Sequence, residues 1–183
     1  MQLAGYNIRK ASQVTAFFAL KNGGKINVLK LTKLIYLADR EFLEKYDSPI
    51  LYDRLVSMPH GPVNSVTYDF INGGQQNADW DSFISGREGY DLGLSSSKIS
   101  INDLDELSDA ELNVLEQIWS RFGHMNKFQI RDYTHHHCKE WNDPNGSSVP
   151  IEYETVLKFL GKENSALISQ SIEEERQINK AWE

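Results

Sequence analysis

The sequence is short of most residues that a cross-linked, membrane-borne or cofactor-driven protein needs. Cys138 is the only cysteine in 183 residues. A single thiol excludes any disulfide within the chain, which fits a reducing compartment. No apolar run approaches the roughly 18–20 residues of a bilayer-spanning helix. The polar stretch at 1–10 lacks the apolar core of a secretory signal. Both absences point to the cytoplasm. There is no phosphate-binding glycine loop, dinucleotide fingerprint, calcium-binding loop, GxSxG motif, internal repeat or low-complexity tract. Positive charge is also scarce: 19 Lys and Arg stand against 26 Asp and Glu, for a net charge of −7. Such a surface repels nucleic-acid phosphates and anionic lipid, and it suits a basic protein partner. Net charge does not exclude a local basic patch.

What is present is an ordinary globular balance, 40% hydrophobic and 25% charged, enough to bury a core without a metal or disulfide. Ile8, Ala11, Val14, Phe17 and Phe18 share one helical side, and Gly23-Gly24 end that helix. The strongest pattern is Val28 to Tyr46. There Leu31, Ile35, Ala38 and Phe42 recur at helical spacing, and Leu34, Leu37 and Tyr46 widen the stripe. A helix apolar around most of its circumference belongs in the middle of a fold, and Asn27 is suited to cap it.

Residues 47–62 hold Pro49, Pro59 and Pro62, so this stretch is extended or turning. Pro62 fits the first turn of a following helix carrying Val63, Val66 and Phe70. Alternation of Trp80, Ser82 and Ile84, a turn at 86–89, then Tyr90, Leu92 and Leu94 predict a β-hairpin over about 78–102, with Ile99 and Ile101 in a short third strand. Ser108 and Glu111 form a capping box ahead of Leu112, Leu115, Trp119 and Phe122. Further helices are expected over about 126–137, over 153–160, and over 164–183. In the last, Ile168, Ile172, Ile178 and Trp182 make no tight stripe, so it packs loosely or meets a partner. The fold class is therefore mostly α (α+β): a compact helical domain over 1–161 with a small antiparallel hairpin or three-stranded sheet, and a helical extension over 162–183.

Candidate chemistry is sparse. His135-His136-His137-Cys138 contains zinc-ligand types, and His135 and Cys138 share a helix face. Three consecutive histidines diverge, however, and no second ligand pair completes a site. One packed histidine among exposed ones explains the run better. Cys138 has no surrounding signature of a nucleophile. His60-Gly61-Pro62 at a helix start can hold an anion or simply turn the chain. Tyr36 and Arg40 lie one turn apart, and Asp39 needs a donor if buried. A polar tie between helices is the plain reading of that set. Glu173-Glu174-Glu175 reads as a solvated face. No cofactor, metal ligand or catalytic residue is assigned.

The block at 29–71, with Lys30-Leu31-Thr32-Lys33-Leu34-Ile35-Tyr36-Leu37-Ala38-Asp39 and the Gly61-Pro62-Val63 turn, resembles the Panacea domain of SocA-like antitoxins. The segment 107–111, Thr134-His135 followed by Trp141, and the helix after Ile151 extend the resemblance over about 8–160. It implies a mostly helical domain that binds and neutralises a toxin protein, often prophage-borne, or that hands the toxin to a cellular protease. It marks Lys33, Gly61, Pro62, Val63, Thr134 and His135 as motif positions. Many relatives carry an N-terminal DNA-binding domain. This chain starts directly in the Panacea-like region, so self-repression of an operon is not expected. Tyr36, Asp39, Arg40, His60 and Trp141 are the candidate partner contacts, with the aromatic members as anchors. A metal-dependent hydrolase using His135, Cys138 and a remote histidine is the competing reading.

Overall fold

The computed structural model describes residues 3–181. The chain forms α1 (Ile8–Lys21), β1 (Lys25–Asn27), α2 (Val28–Tyr46), β2 (Leu55–Met58), β3 (Gly61–Asn64), α3 (Ser65–Ile71), α4 (Ala78–Asp81), β4 (Asp91–Gly93), α5 (Asp109–Phe122), α6 (Lys127–His137), β5 (Val149–Ile151), α7 (Tyr153–Phe159) and α8 (Ser165–Ala181). It is mostly α, with two small antiparallel sheets, β1-β4 and β3-β2-β5.

The middle of the fold is α2. The Asn27 side chain accepts from the Leu29 and Lys30 amides at 3.1 and 3.3 Å, supplying partners that the first helical turn lacks. Every residue over 31–39 is buried. The helix packs against α1, α5, α6, α7, β1 and β3, as its all-round apolar pattern requires. It ends at Asp47 in the left-handed region (φ 56°). The capping box of Ser108 and Glu111 is formed reciprocally, with bonds of 3.2 and 2.8 Å. Asn126 caps α6 in the same way.

Several expectations are corrected. The segment 80–84 is not a strand. Asn77 caps a short helical turn there, and the buried residues are Trp80, Phe83 and Ile84. That is helical spacing, and it lets Trp80 stack on Phe70 at 5.0 Å. Only two isolated bridges remain of the hairpin, one joining Ile84 to Leu94 and one joining Glu88 to Asp91. The strand β4 pairs instead with β1, and Ile101 lies in a single 3-10 turn. The true hairpin is β2–β3, where Met58 opposes Gly61 across Pro59-His60. Pro59 suits the first position of that turn because its φ is preset. Pro62 therefore sits in a strand, opposite Ser57, and α3 starts later, at Ser65. The helix α8 is not loose. Ile172 is 1% exposed, and Arg176 donates to the Tyr52 and Asp53 carbonyls at 3.0 Å each. Trp182 lies outside the described residues.

Candidate functional site

The residues marked by motif in the sequence converge behind the β2–β3 hairpin. The Lys33 ammonium reaches from α2 to the Pro62 carbonyl at 2.9 Å. Burial pushes its pKa down to about 7, against a smaller opposing pull from Cys138. Gly61 has φ +105°, and a Cβ there would lie 2.8 Å from Thr134 Oγ1 and 3.1 Å from Lys33 Nζ. Only glycine gives this backbone and this closeness together. Val63, opposite Val56, is 2% exposed and belongs to the core. The Trp141 indole donates to the Met58 carbonyl at 2.9 Å and stacks on His135 at 4.0 Å. Lys33, Thr134, His135 and Trp141 thus hold one hairpin from behind.

The Tyr36, Asp39 and Arg40 set lies just beyond. Tyr36 and Asp39 are 1% and 3% exposed, so neither presents a surface for a partner to touch. The Tyr36 hydroxyl donates to Glu140 Oε1 at 2.8 Å. Arg40 reaches the same carboxylate with Nε at 2.7 Å and Nη2 at 3.2 Å. Burial works against the Arg40 charge, but its bond to Glu140 and that carboxylate's charge outweigh it and raise the pKa. Asp39 accepts from the Ile50 and Leu51 amides at 2.6 and 3.1 Å and from Asn64 Nδ2 at 2.9 Å. Burial still lifts it to about 6, because three hydrogen bonds do not fully replace water. This is the polar tie in a larger form. Glu140 is not legible as its hub in the sequence, because its partners lie about a hundred residues away.

A further buried carboxylate, Asp53, is equally hidden in the sequence. It accepts from the Val66 and Thr67 amides at 2.9 Å each and from the Thr67 hydroxyl at 2.7 Å. It thereby fills the start of α3, the helix after the Gly-Pro turn, where the sequence allows an external anion. The Tyr6 hydroxyl backs this at 2.9 Å from Thr67 Oγ1. A single Asp in the loop between Tyr52 and Arg54 gives no local sign of such a role.

The histidine run separates as its geometry demands. His136 and His137 turn back to carbonyls of their own helix, and His137 stacks on Tyr133 at 4.0 Å. His135 packs on Trp141. Burial pushes the Cys138 thiol up to about 12, away from the thiolate that nucleophilic or metal chemistry uses. Among the described residues, no three His, Cys, Asp or Glu are grouped to hold a metal.

On the other side of the hairpin tip lies an open cleft of about 480 Å³, a volume within the range of ligand-binding sites. Val28, Leu29, Met58, Pro59 and Val63 supply apolar walls, and Tyr68, Tyr90 and Phe128 supply aromatic ones. His60, at the tip, is exposed on its edge. The charged lining residues are Lys33, Arg87 and Lys127. Arg87 and Lys127 lie over the Tyr90 ring at 5.8 and 5.7 Å, and Lys127 also lies over Phe128 at 5.1 Å. Of the five candidate contacts, only His60 lines this cleft. Arg40 and the half-buried Trp141 lie behind the hairpin. Tyr90, Phe128, Arg87 and Lys127 escape a sequence reading because each sits in a turn or at a helix start. Paired aromatic and basic residues, Arg87 with Tyr90 and Lys127 with Phe128, are the available signal.

This architecture defines a helical domain whose buried polar groups hold its own frame beside an open cleft. The chain belongs to the family described as antitoxin SocA-like, Panacea domain, whose model matches residues 31–142. That span starts inside α2 and ends one residue past Trp141. No curated protein and no solved structure matches the chain. Among the described residues, no helix is long and apolar enough to cross a membrane.

Proposed function

We propose that this chain is the antitoxin of a toxin–antitoxin pair, acting in the cytoplasm, and that it silences its toxin by covering it. No catalytic step, metal or cofactor enters this reading. The observation that carries it, beside family membership, is the open cleft against a hairpin that Lys33, Thr134 and Trp141 hold rigid. A preformed surface loses little ordering entropy on binding. The exposed rim residues Tyr90 and Phe128 are of the type that dominate interface energies. A standard interface buries roughly 1,200–2,000 Å² in total, so the toxin extends beyond the cleft onto the neighbouring α3 and α6 surface. Of the five residues singled out in the sequence, His60 is then a contact, while Tyr36, Asp39, Arg40 and Trp141 hold the contact surface in place.

Co-expression tests this. The protein encoded beside this chain should arrest growth alone and be harmless with it, while its level on immunoblot stays constant. Loss of the toxin in protease-proficient cells only would favour delivery to a protease. Continued arrest with both proteins present would refute the reading.

A further inference from the structure

The chain as a whole is acidic, at −7, yet its cleft has the opposite sign. Its exposed charged lining residues are Arg87 and Lys127, with His60 at the edge and the buried Lys33 behind, and no Asp or Glu lines it. Among the described residues, neither Arg87 nor Lys127 is paired with a carboxylate. Arg87 donates to the Gly89 carbonyl at 2.6 Å and to the Asn72 side chain, and Lys127 meets only aromatic faces. Elsewhere the cations are mostly matched. Lys10, Lys21, Lys25, Arg40 and Arg121 each meet a carboxylate within 3.1 Å. Two rim cations left unmatched on an acid-rich chain form a local attractive field that the net charge conceals. The aromatic rim is open as well, with Tyr90 73% and Phe128 51% exposed.

Building on the reading of the chain as a protein-binding antitoxin, we propose that the cleft receives an acidic segment of the toxin that carries a large apolar side chain. A large apolar side chain enters between Tyr68, Tyr90 and Phe128, and flanking carboxylates take Arg87 and Lys127. Arg87 can take a carboxylate with both arms of its guanidinium, while Lys127 acts as a point charge. This reverses the partner chemistry that composition suggests, since a net charge of −7 points to a basic partner. A concave site of about 480 Å³ with apolar and aromatic walls suits an inserted side chain better than a flat surface. A nucleic-acid strand fits less well, because its evenly spaced phosphates would meet the acidic surface on leaving the cleft.

The test uses the full-length chain to select from a displayed library of random peptides about nine residues long. The expected result is enrichment of peptides with Asp or Glu beside Phe, Trp or Leu. Their affinity should fall with added salt and by about tenfold or more in the R87E/K127E variant. The milder R87Q/K127Q variant serves if charge reversal lowers the melting temperature. Enrichment of basic or uncharged peptides, equal binding by both variants and the wild type, or retention of single-stranded oligonucleotides in place of any peptide would overturn the proposal. Growth rescue separates it from the broader reading. Rescue that is equal for wild type and R87E/K127E removes the cleft but keeps the antitoxin. Lack of rescue by wild type, with acidic peptides still captured, removes the antitoxin but keeps the cleft.

Discussion

The two sides of the β2–β3 hairpin use polar groups in opposite ways. Behind it, Asp39, Asp53 and Glu140 are almost fully buried, and each accepts several hydrogen bonds from within the chain. In front of it, Arg87 and Lys127 meet no carboxylate among the described residues and rest against exposed aromatic rings. A buried charge must be satisfied or it unfolds the protein. An exposed cation beside an apolar wall costs little and remains available. In this fold the carboxylates whose charge burial opposes, Asp39 and Asp53, therefore belong to the frame.

Breaking the closed side should cost stability most. Asp53→Ala strands the Val66 and Thr67 amides and the Thr67 hydroxyl. We expect a loss of about 3–5 kcal/mol by urea denaturation. Gly61→Ala strikes the boundary between the two sides. The Cβ meets Thr134 and Lys33 at a left-handed backbone position, so about 2–3 kcal/mol should be lost. Toxin binding should weaken with it, because the hairpin tip moves.

Asp39 offers a sharper probe. Its pKa in the fold, about 6, lies above the roughly 3.9 of an unfolded aspartate. Between these values the folded state holds more protons than the unfolded state. Stability therefore falls as pH rises from about 4 to about 6, by on the order of 3 kcal/mol, and then levels off. Lys33 acts in another window. Its pKa is depressed to about 7, so its contribution improves as pH rises from about 7 towards the roughly 10.4 of a free lysine. In Asp39→Asn the first slope should shrink, leaving the part contributed by Asp53, whose pKa burial also raises. That variant should also fold well. Among the described residues Asn64 Oδ1 is buried without a partner, and a flip of the Asn64 amide lets it accept from the amide introduced at position 39. Chemical denaturation repeated across roughly pH 4–9 reads both effects. The smallest stability change is expected on the open side. Tyr90→Ala and Phe128→Ala should alter stability by no more than about 0.5 kcal/mol, yet each should cost about 1–2 kcal/mol in toxin affinity by calorimetry.

Much of the frame is legible in the sequence. The α2 limits, the Asn27 cap and the box of Ser108 and Glu111 depend on neighbours within four residues, which the sequence displays directly. The β1–β4 pairing joins residues more than sixty positions apart, and β5 adds to β2 from about ninety further on. No local pattern reveals either. Trp80, Phe83 and Ile84 mislead because so short a stretch satisfies both periods, and Phe70 decides between them. The motif positions Lys33, Gly61 and Thr134 do converge on one hairpin, and Trp141 joins them there. Tyr36 and Asp39, read in the sequence as candidate contacts, are buried. An all-round apolar helix buries whatever polar groups it carries, and that inference is available from the pattern itself. The cleft is illegible because its lining comes from several separate stretches of chain.

The decisive experiment is hydrogen–deuterium exchange on the full chain, with and without the toxin identified by growth rescue. Toxin should slow exchange at 58–61, 68–72, 87–90 and 127–128, and leave α8 unchanged. Protection confined to α7 and α8, with those four segments exchanging as in the free chain, would show that the toxin does not sit on the cleft.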